Sequence, residues 1–318
     1  MTICMKISLI CTVKNEAESI AALLDSILAQ RRMPDEIVVN DCGSSDTTAE
    51  IVQRYVARYP GRVRLVRGGH NISSGRNNAV RHARHDLIAC TDAGLTLDSN
   101  WLAEIITPIE CDEADVVGGF FTPAPQSLFE LTLAATNYRE AAEINPQTFL
   151  PFGKSLAFRR HAWERVGGFP EWASHCEDIL FAQALKRAGY RFAFAPEARV
   201  NFRPRESLRA FAQQYYLYAR GDGRANLWLR RYVLRYGVYG IALVLLLGSL
   251  RKPWLLGLLG LGAVAYSRKP AQRLHSRAPA LPPLEKARAL ALIPLIRVVG
   301  DVAKMVGYPV GVRGRHAK

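Results

Sequence analysis

Residues 36–46 constrain this chain more than any other stretch. Glu36-Ile37-Val38-Val39-Asn40 reads as an apolar strand. It runs into the acidic, glycine-containing turn Asp41-Cys42-Gly43-Ser44-Ser45-Asp46, and a helix follows from Thr47. In an open α/β sheet, ligands bind outside the carboxyl ends of the strands, which is where such a turn lies. Asp41 there can accept hydrogen bonds from a base or ribose. Gly43 allows a backbone geometry that a side chain would block, and Asp46 or Ser45 can cap the helix. An ordinary capped connection has the same local sequence, so the rest of the chain decides between the two.

Strand and helix patterns alternate over the first hundred residues. Strands are expected at Ile7–Val13, Ile37–Asn40, Val63–Val66 and Leu87–Thr91. Helices are expected at Glu16–Gln30, Thr47–Tyr59, Ser73–Arg84 and Ser99–Pro108. This alternation predicts an α/β fold, a mostly parallel central sheet with helices on both faces. From Val116 the pattern loosens, and Ser155–Phe158, Arg160–Val166, Asp178–Ala188 and Phe192–Phe194 continue it as strand, helix, helix and strand.

Charge divides the 318 residues unevenly. The total is +14, but Lys and Arg outnumber Asp and Glu by 18 from Arg199 onward, so residues 1–198 carry −4. Evenly basic surfaces suit nucleic acid. A basic tail interleaved with long apolar runs instead suits an anionic membrane surface, so no nucleic-acid partner is expected. Tyr232–Leu250 is apolar except for Arg235 and approaches bilayer-spanning length. Trp254–Ser267 is shorter and reads as a hairpin partner or re-entrant segment, followed by a basic loop at 268–277. Leu290–Val310 is interrupted by Arg297, Asp301 and Lys304 and reads as amphipathic or a marginal span. The tail therefore predicts a membrane-associated helical region at 230–318, touching lipid through 232–267 and 290–310. The six cysteines form no C-x-x-C pair or zinc spacing. The N-terminus reads as a strand rather than a signal peptide, and the first domain is expected in the cytoplasm at the cell membrane.

Acidic or polar groups recur at the ends of predicted strands: Asn15-Glu16, Asp41, Asp92, and Glu177-Asp178 at a helix start. Acids gathered on one rim are costly unless they meet a cation or donors, and a divalent metal with a nucleoside diphosphate supplies both.

Six motifs in order give these acids a family context: Thr12-Val13-Lys14-Asn15-Glu16, Asp41-Cys42-Gly43-Ser44-Ser45-Asp46, Ser74-Gly75-Arg76-Asn77, Thr91-Asp92-Ala93-Gly94, Val166-Gly167-Gly168-Phe169 and Glu177-Asp178-Ile179-Leu180. Over roughly residues 5–205 the chain resembles a family 2 glycosyltransferase of the inverting, nucleotide-sugar-dependent GT-A type. The tail resembles membrane-attached members. The resemblance implies a GT-A domain over 1–229, with a nucleotide half at 1–110 and an acceptor half at 111–229. It implies that Asn15, Glu16 and Asp41 bind the base and ribose of the donor, and that Arg76 approaches the nucleotide or its diphosphate. Asp92 would be the first acid of the DxD motif that holds Mg²⁺ or Mn²⁺ against the phosphates. Asp178 would be the catalytic base, with Glu177 supporting it. Gly167, Gly168 and Phe169 would form the acceptor loop, with Trp172 either stacking on a sugar or packing in the core.

Two positions depart from that pattern. Gly94 stands where the second DxD acid is expected. Asn201 stands where the family often has a metal-side His. Metal dependence is therefore in question, and Arg203 or Arg205 is expected to share in neutralising phosphate. Gln214, Arg220 and Trp228 do not match the Q-x-x-R-W spacing of processive members, which implies transfer of a single sugar. Gly221 and Gly223 suggest a mobile loop that brings Arg220 or Arg224 to the diphosphate, or else a juxtamembrane belt of aromatic and basic residues. The reading is transfer of one sugar, with inversion, from a nucleoside-diphosphate sugar to an acceptor hydroxyl on a sugar, lipid or lipid-linked saccharide. The alternatives are a nucleotide-sugar-binding scaffold on a degenerate transferase fold, favoured by Gly94 and Asn201, and a nucleotidyltransferase. The latter usually has a glycine- and lysine-rich phosphate loop that residues 12–16 lack.

Overall fold

The computed structural model describes residues 5–315. They form two compact units. The first comprises the chain up to Ala124 together with Ala141–Phe202, and the second comprises Pro125–Glu140 with the chain from Arg203 onward.

In chain order the first unit contains β1 (Ile7–Val13), α1 (Ile20–Leu28), β2 (Glu36–Asp41), α2 (Thr48–Arg58), β3 (Val63–Arg67), α3 (Ile72–His82), β4 (Leu87–Asp92), β5 (Leu95–Leu97), α4 (Trp101–Glu110) and β6 (Val116–Pro123). The second unit takes the next helix, α5 (Leu128–Asn137). The first resumes with β7 (Ser155–Arg159), α6 (Arg160–Arg165), α7 (Glu177–Arg187) and β8 (Phe192–Phe202). The eight strands form one sheet in the order β3-β2-β1-β4-β7-β6-β8-β5. β1, β2, β3 and β4 pair in parallel, as the alternation predicts. The second half is mixed: β7 lies antiparallel between β4 and β6, β8 runs parallel to β6, and β5 closes the edge antiparallel to β8.

Burial explains the central strands. Ile7, Leu9, Ile10, Ile37, Val38, Val39, Leu87, Ile88 and Ala89 are all fully buried, the near-continuous apolar runs of strands covered on both faces. The parallel pairing brings the carboxyl ends of β1, β2 and β4 to one rim: Thr12 is in register with Asn40 and Asp92, and Val13 with Asp41. α3 sits close over this rim, because a Cβ at Gly75 would run into Thr12 Cγ2 and Cys42 Sγ.

The second unit contains α5, α8 (Leu208–Arg224), α9 (Leu229–Ser249), α10 (Leu255–Arg277) and α11 (Pro283–Arg313). Its tightest crossing is α8 on α11. A Cβ at Gly223 would strike the Tyr308 carbonyl, one at Gly307 the Tyr216 carbonyl, and one at Gly311 the Arg220 carbonyl. Ala219/Gly223 and Gly307/Gly311 are i, i+4 pairs of small residues, which let two helix backbones approach closely. The expected mobile loop at Gly221–Gly223 is therefore corrected: these glycines lie inside α8, and Gly223 serves packing. The basic loop expected at 268–277 is likewise helical, since α10 continues through Pro270 to Arg277; Arg and Lys are good helix formers. Among the described residues, α9 is the one helix long and apolar enough to cross a membrane, judged by length and composition, and almost none of it is buried.

Gly75→Val should push α3 off the rim and lower stability by about 1–3 kcal/mol, as overpacking does elsewhere. A chemical-denaturation curve of the purified protein checks this.

Candidate active site

The rim of β1, β2 and β4 is held by side chains that tie its turns together. Asp41 is buried, and its Oδ1 accepts hydrogen bonds from the Ser44 N–H at 2.9 Å and the Ser44 hydroxyl at 2.6 Å. Gly43 takes φ +81° with open space around it, so backbone conformation selects glycine there. Asn15 has φ 56°, in the left-handed region that Asn tolerates. Its Oδ1 accepts from the Ser45 N–H at 2.8 Å, so the side chain knits the β1 end to the β2 turn. Asp46 does not fill the cap position of α2, which falls on Thr47. Its carboxylate instead accepts from the Thr48 and Ala17 N–H groups, and these bonds hold it below the usual carboxylate range, the largest effect coming from the Thr48 side chain.

A cleft of about 200 Å³ opens at this rim, lined by Thr12, Val13, Lys14, Glu16, Cys42, Asn71 and Ile72. Glu16 is the one expected donor-binding residue on its wall. Asn15, Asp41, Arg76 and Asp92 do not line it. Thr12 Oγ1 is buried at the cleft without a hydrogen-bond partner, and such an atom is costly unless a ligand or water satisfies it. Val13 and Ile72 are apolar and Lys14 is cationic, a combination suited to a nucleobase with a charged neighbour. Thr12, Lys14 and Asn71 are cleft residues to which the sequence reading assigned no role.

The centre of the site lies behind α3. The Arg76 side chain is 1% exposed, yet it carries a full charge. Its Nη2 donates to Asp92 Oδ1 at 2.5 Å, and its Nη1 donates to Glu177 Oε1 at 2.7 Å. Gly153 lies against the guanidinium, where a Cβ would collide with it. Arg76 therefore joins the end of β4 to the start of α7 and does not face the cleft. The sequence reading had placed it toward the nucleotide.

Asp178 follows Glu177 but has different partners. Its Oδ2 accepts from the Gly153 N–H at 3.2 Å and its Oδ1 from the Ile179 N–H at 2.8 Å. Asp178 is partly exposed where Glu177 is buried. Burial raises the pKa of both carboxyls, and the Arg76 charge opposes that rise in both. A carboxyl raised toward neutrality is well matched to general-base work. Cys176, which precedes them, has φ 59° and turns the chain into α7.

The loop Gly167-Gly168-Phe169 is positioned by Asn77, which belongs to the third sequence motif but had no role assigned to it. Asn77 Oδ1 accepts from the Phe169 N–H at 2.8 Å and from Trp163 Nε1 at 3.0 Å. Its Nδ2 donates to the Phe169 carbonyl at 2.8 Å and to Glu171 at 2.9 Å. Gly168 has φ +78°, and a Cβ there would collide with Asn77 and Trp163. Phe169 itself is a core residue, packed on Phe158 and Phe181, so its backbone shapes the loop. Gly167 has open space around it. Trp172 is 46% exposed, which removes the core-packing alternative. Of the arginines expected at the diphosphate, Arg203 is held by buried Glu130 at 2.7 Å in the helical unit. Arg220 lies on α8, where its carbonyl meets α11.

For a divalent cation, the chain supplies little. No cluster of three or more His, Cys, Asp or Glu suited to a metal occurs among the described residues. Gly94 offers no side chain, and Asn201 donates to Asp98 at 2.6 Å. Asp92 remains, with Oδ1 on Arg76. One carboxylate fits a cation held mainly by substrate phosphates and water, as Mg²⁺ often is.

The family model described as glycosyl transferase family 2 matches residues 8–167, half of the chain. A second, glycosyl transferase family group 2, matches 94–268. The chain is 25% identical over 253 residues to glycosyltransferase AglE of Haloferax volcanii, covering 78% of this chain and 82% of that protein. It is 28% identical over 224 residues to the succinoglycan biosynthesis protein ExoA of Rhizobium meliloti, covering 66% and 67%. Among solved structures it resembles mannosyltransferase PcManGT from Pyrobaculum calidifontis in complex with GDP-Man and Mn²⁺, with a TM-score of 0.57 and 20% identity over 98% of this chain and 87% of that one. It also resembles S. aureus TarS in complex with UDP-GlcNAc, with a TM-score of 0.51 and 19% identity over 99% and 93%. The structural likenesses establish the GT-A fold. The chain belongs to glycosyl transferase family 2 and is a nucleotide-sugar glycosyltransferase.

Two substitutions test the site's supports. Asn77→Ala strands the Phe169 N–H, the Phe169 carbonyl and Trp163 Nε1, and should cost about 1–3 kcal/mol, read as a lowered melting temperature with faster proteolysis near residue 169. Arg76→Met leaves buried Glu177 and partly buried Asp92 without their cation and should cost about 3–5 kcal/mol. In that variant the Glu177 and Asp178 carboxyls, already raised by burial, lose the Arg76 charge that opposes the rise, so their folded-state pKa values climb further above the unfolded ones. Stability is then retained below the unfolded pKa and lost as pH rises through the folded one. The deficit against wild type should shrink on acidification, which thermal melts across pH 4–8 measure.

Proposed function

We propose that this enzyme transfers a single sugar, with inversion, from a nucleoside-diphosphate sugar to an acceptor hydroxyl, with Asp178 as the base. The observation that carries this reading is the Arg76 bridge, which gathers Asp92 and the Glu177-Asp178 pair into one buried cluster beside the nucleotide cleft. Thr12, Val13, Lys14 and Glu16 hold the nucleoside, and Asp41 with Asn15 keeps their rim in shape. Asp92 is the residue that would hold a divalent cation, together with the substrate phosphates. When bound, that cation neutralises charge on the departing diphosphate.

Asp178 takes the acceptor's proton because its oxygens meet only backbone N–H groups in this cluster, whereas Glu177 is committed to Arg76. Glu177 positions the guanidinium, whose positive charge opposes the rise of the Asp178 pKa. The loop Gly167-Gly168-Phe169, held by Asn77, and the exposed Trp172 receive the acceptor sugar. Attack from the side opposite the diphosphate gives inversion. The basic, apolar helical unit supports attachment to a membrane, with the catalytic unit on the cytoplasmic face and a lipid or lipid-linked saccharide as acceptor. The relatives' names point the same way: one is an O-antigen chain rhamnosyltransferase from Salmonella anatum.

Asp178→Asn should lower the turnover rate by about 10²–10⁴-fold while leaving nucleotide affinity within a few-fold, measured by nucleotide release and calorimetry. Unchanged turnover would remove Asp178 from the base role. Asp92→Asn should abolish the Mn²⁺-dependent part of nucleotide binding, read as loss of the Mn²⁺-induced shift in melting temperature.

A further inference from the structure

The helical unit contains a buried polar clasp. Asp301 on α11 is 3% exposed. Its Oδ1 accepts from Arg235 Nε at 2.8 Å, and its Oδ2 accepts from the Tyr239 hydroxyl at 3.1 Å and from the Tyr266 hydroxyl. Arg297 lies over the Tyr266 ring at 4.2 Å, and Tyr236 donates to the Met305 carbonyl. Side chains from α9 and α10 thus meet at one level on α11. α11 is packed along α8 and α5 through Phe211, Leu133, Ile293 and Ile296, so neighbouring helices already cover one of its faces.

Beyond the clasp the two helices run on as an exposed apolar hairpin. From Gly240 to Ser249 on α9 and from Leu255 to Ala265 on α10 there is no charged residue. Ile241, Val244, Leu247, Leu250, Leu261 and Val264 stand more than half exposed. At about 1.5 Å per residue these arms reach about 15–17 Å past the clasp, roughly half of the ~30 Å hydrocarbon core of a bilayer. The turn between them carries Arg251 and Lys252, which at the bilayer centre would cost about 2.5–3.5 kcal/mol each.

α9 has enough residues to cross only if its first eleven, with Arg235 and Tyr239 bound to Asp301, also enter hydrocarbon. An exposed stripe of Leu295, Val298, Val302 and Val306 on α11 adds apolar surface of the kind that lies in an interface. No acid occurs between Asp222 and Glu285, a stretch that holds ten Arg and Lys residues, which complements anionic headgroups.

We infer that the α9–α10 hairpin is a monotopic anchor. It enters a single leaflet at a slant, with the Asp301 clasp at headgroup level and Arg251 and Lys252 returning to the interface, and it does not cross the bilayer. This rests on the membrane attachment proposed above, and the test separates the two. Full-length protein, as a Leu250→Cys variant in a Cys111→Ser background, is added to preformed vesicles of phosphatidylethanolamine and phosphatidylglycerol. Flotation with the vesicles tests attachment itself, and failure to float overturns both readings. For the anchor, an environment-sensitive fluorophore on the new thiol should shift to the blue. Nitroxides near the headgroup end of the acyl chains should quench it more than nitroxides near the methyl end, and a thiol reagent trapped in the lumen should not react above the Cys111→Ser baseline. Reaction with the trapped reagent, stronger quenching from the methyl end, or an unshifted probe in floating protein would each overturn the monotopic hairpin.

Discussion

One buried cation organises the catalytic unit. Arg76 comes from α3, Asp92 from the end of β4 and Glu177 from the start of α7, elements far apart in sequence. Two charge-assisted hydrogen bonds to a guanidinium that is itself 1% exposed hold them together. A buried charge is tolerated only when paired and well coordinated, so each partner fixes the others. Gly153 is required because the guanidinium occupies the space of its side chain. Gly75 lets α3 come close enough to the strand ends for Arg76 to reach. Asp178 gains its position from the same cluster, since its Oδ2 bonds to the Gly153 N–H.

The two units use different packing solutions. The sheet unit buries large aliphatic and aromatic side chains, with Trp101, Phe158, Phe169 and Phe181 fully inside. That apolar mass holds the rim rigid enough for hydrogen bonds such as those of Asn77 to set the loop at 167–169. The helical unit brings α8 and α11 together through small residues and leaves its aliphatic side chains outside on α9 and α10. In water that arrangement exposes a large apolar surface, whereas against lipid it costs nothing. The Asp301 clasp supplies the specific polar pairing that small-residue packing alone lacks.

Much of this was legible in the sequence. The parallel half of the sheet follows from apolar strand runs alternating with helical periodicity over the first hundred residues, and the strand-end acids follow from the order of six motifs. What escaped reading has a common cause. α5 lay in a loosely patterned stretch and joins the helical unit. Gly221 and Gly223 look like loop residues until α11 is seen to need them small. That Asp92 and Glu177 close around Arg76 has no signal in the helix that carries it. Asn77 carries no charge and no periodic signal, and its role exists only because residues 163–171 return to it.

By itself, then, the amino-acid sequence determined the fold class, the family, the acids gathered at the strand ends and the change to a basic, apolar composition in the tail. These are properties of local pattern and composition, which a linear reading captures. Tertiary structure alone decided which acid is committed to a cation and which meets only backbone donors, that Asn15 braces a turn outside the cleft, and how far an apolar hairpin extends past its polar clasp. Those depend on contacts between segments distant in sequence, and on which atoms water can still reach once they have met.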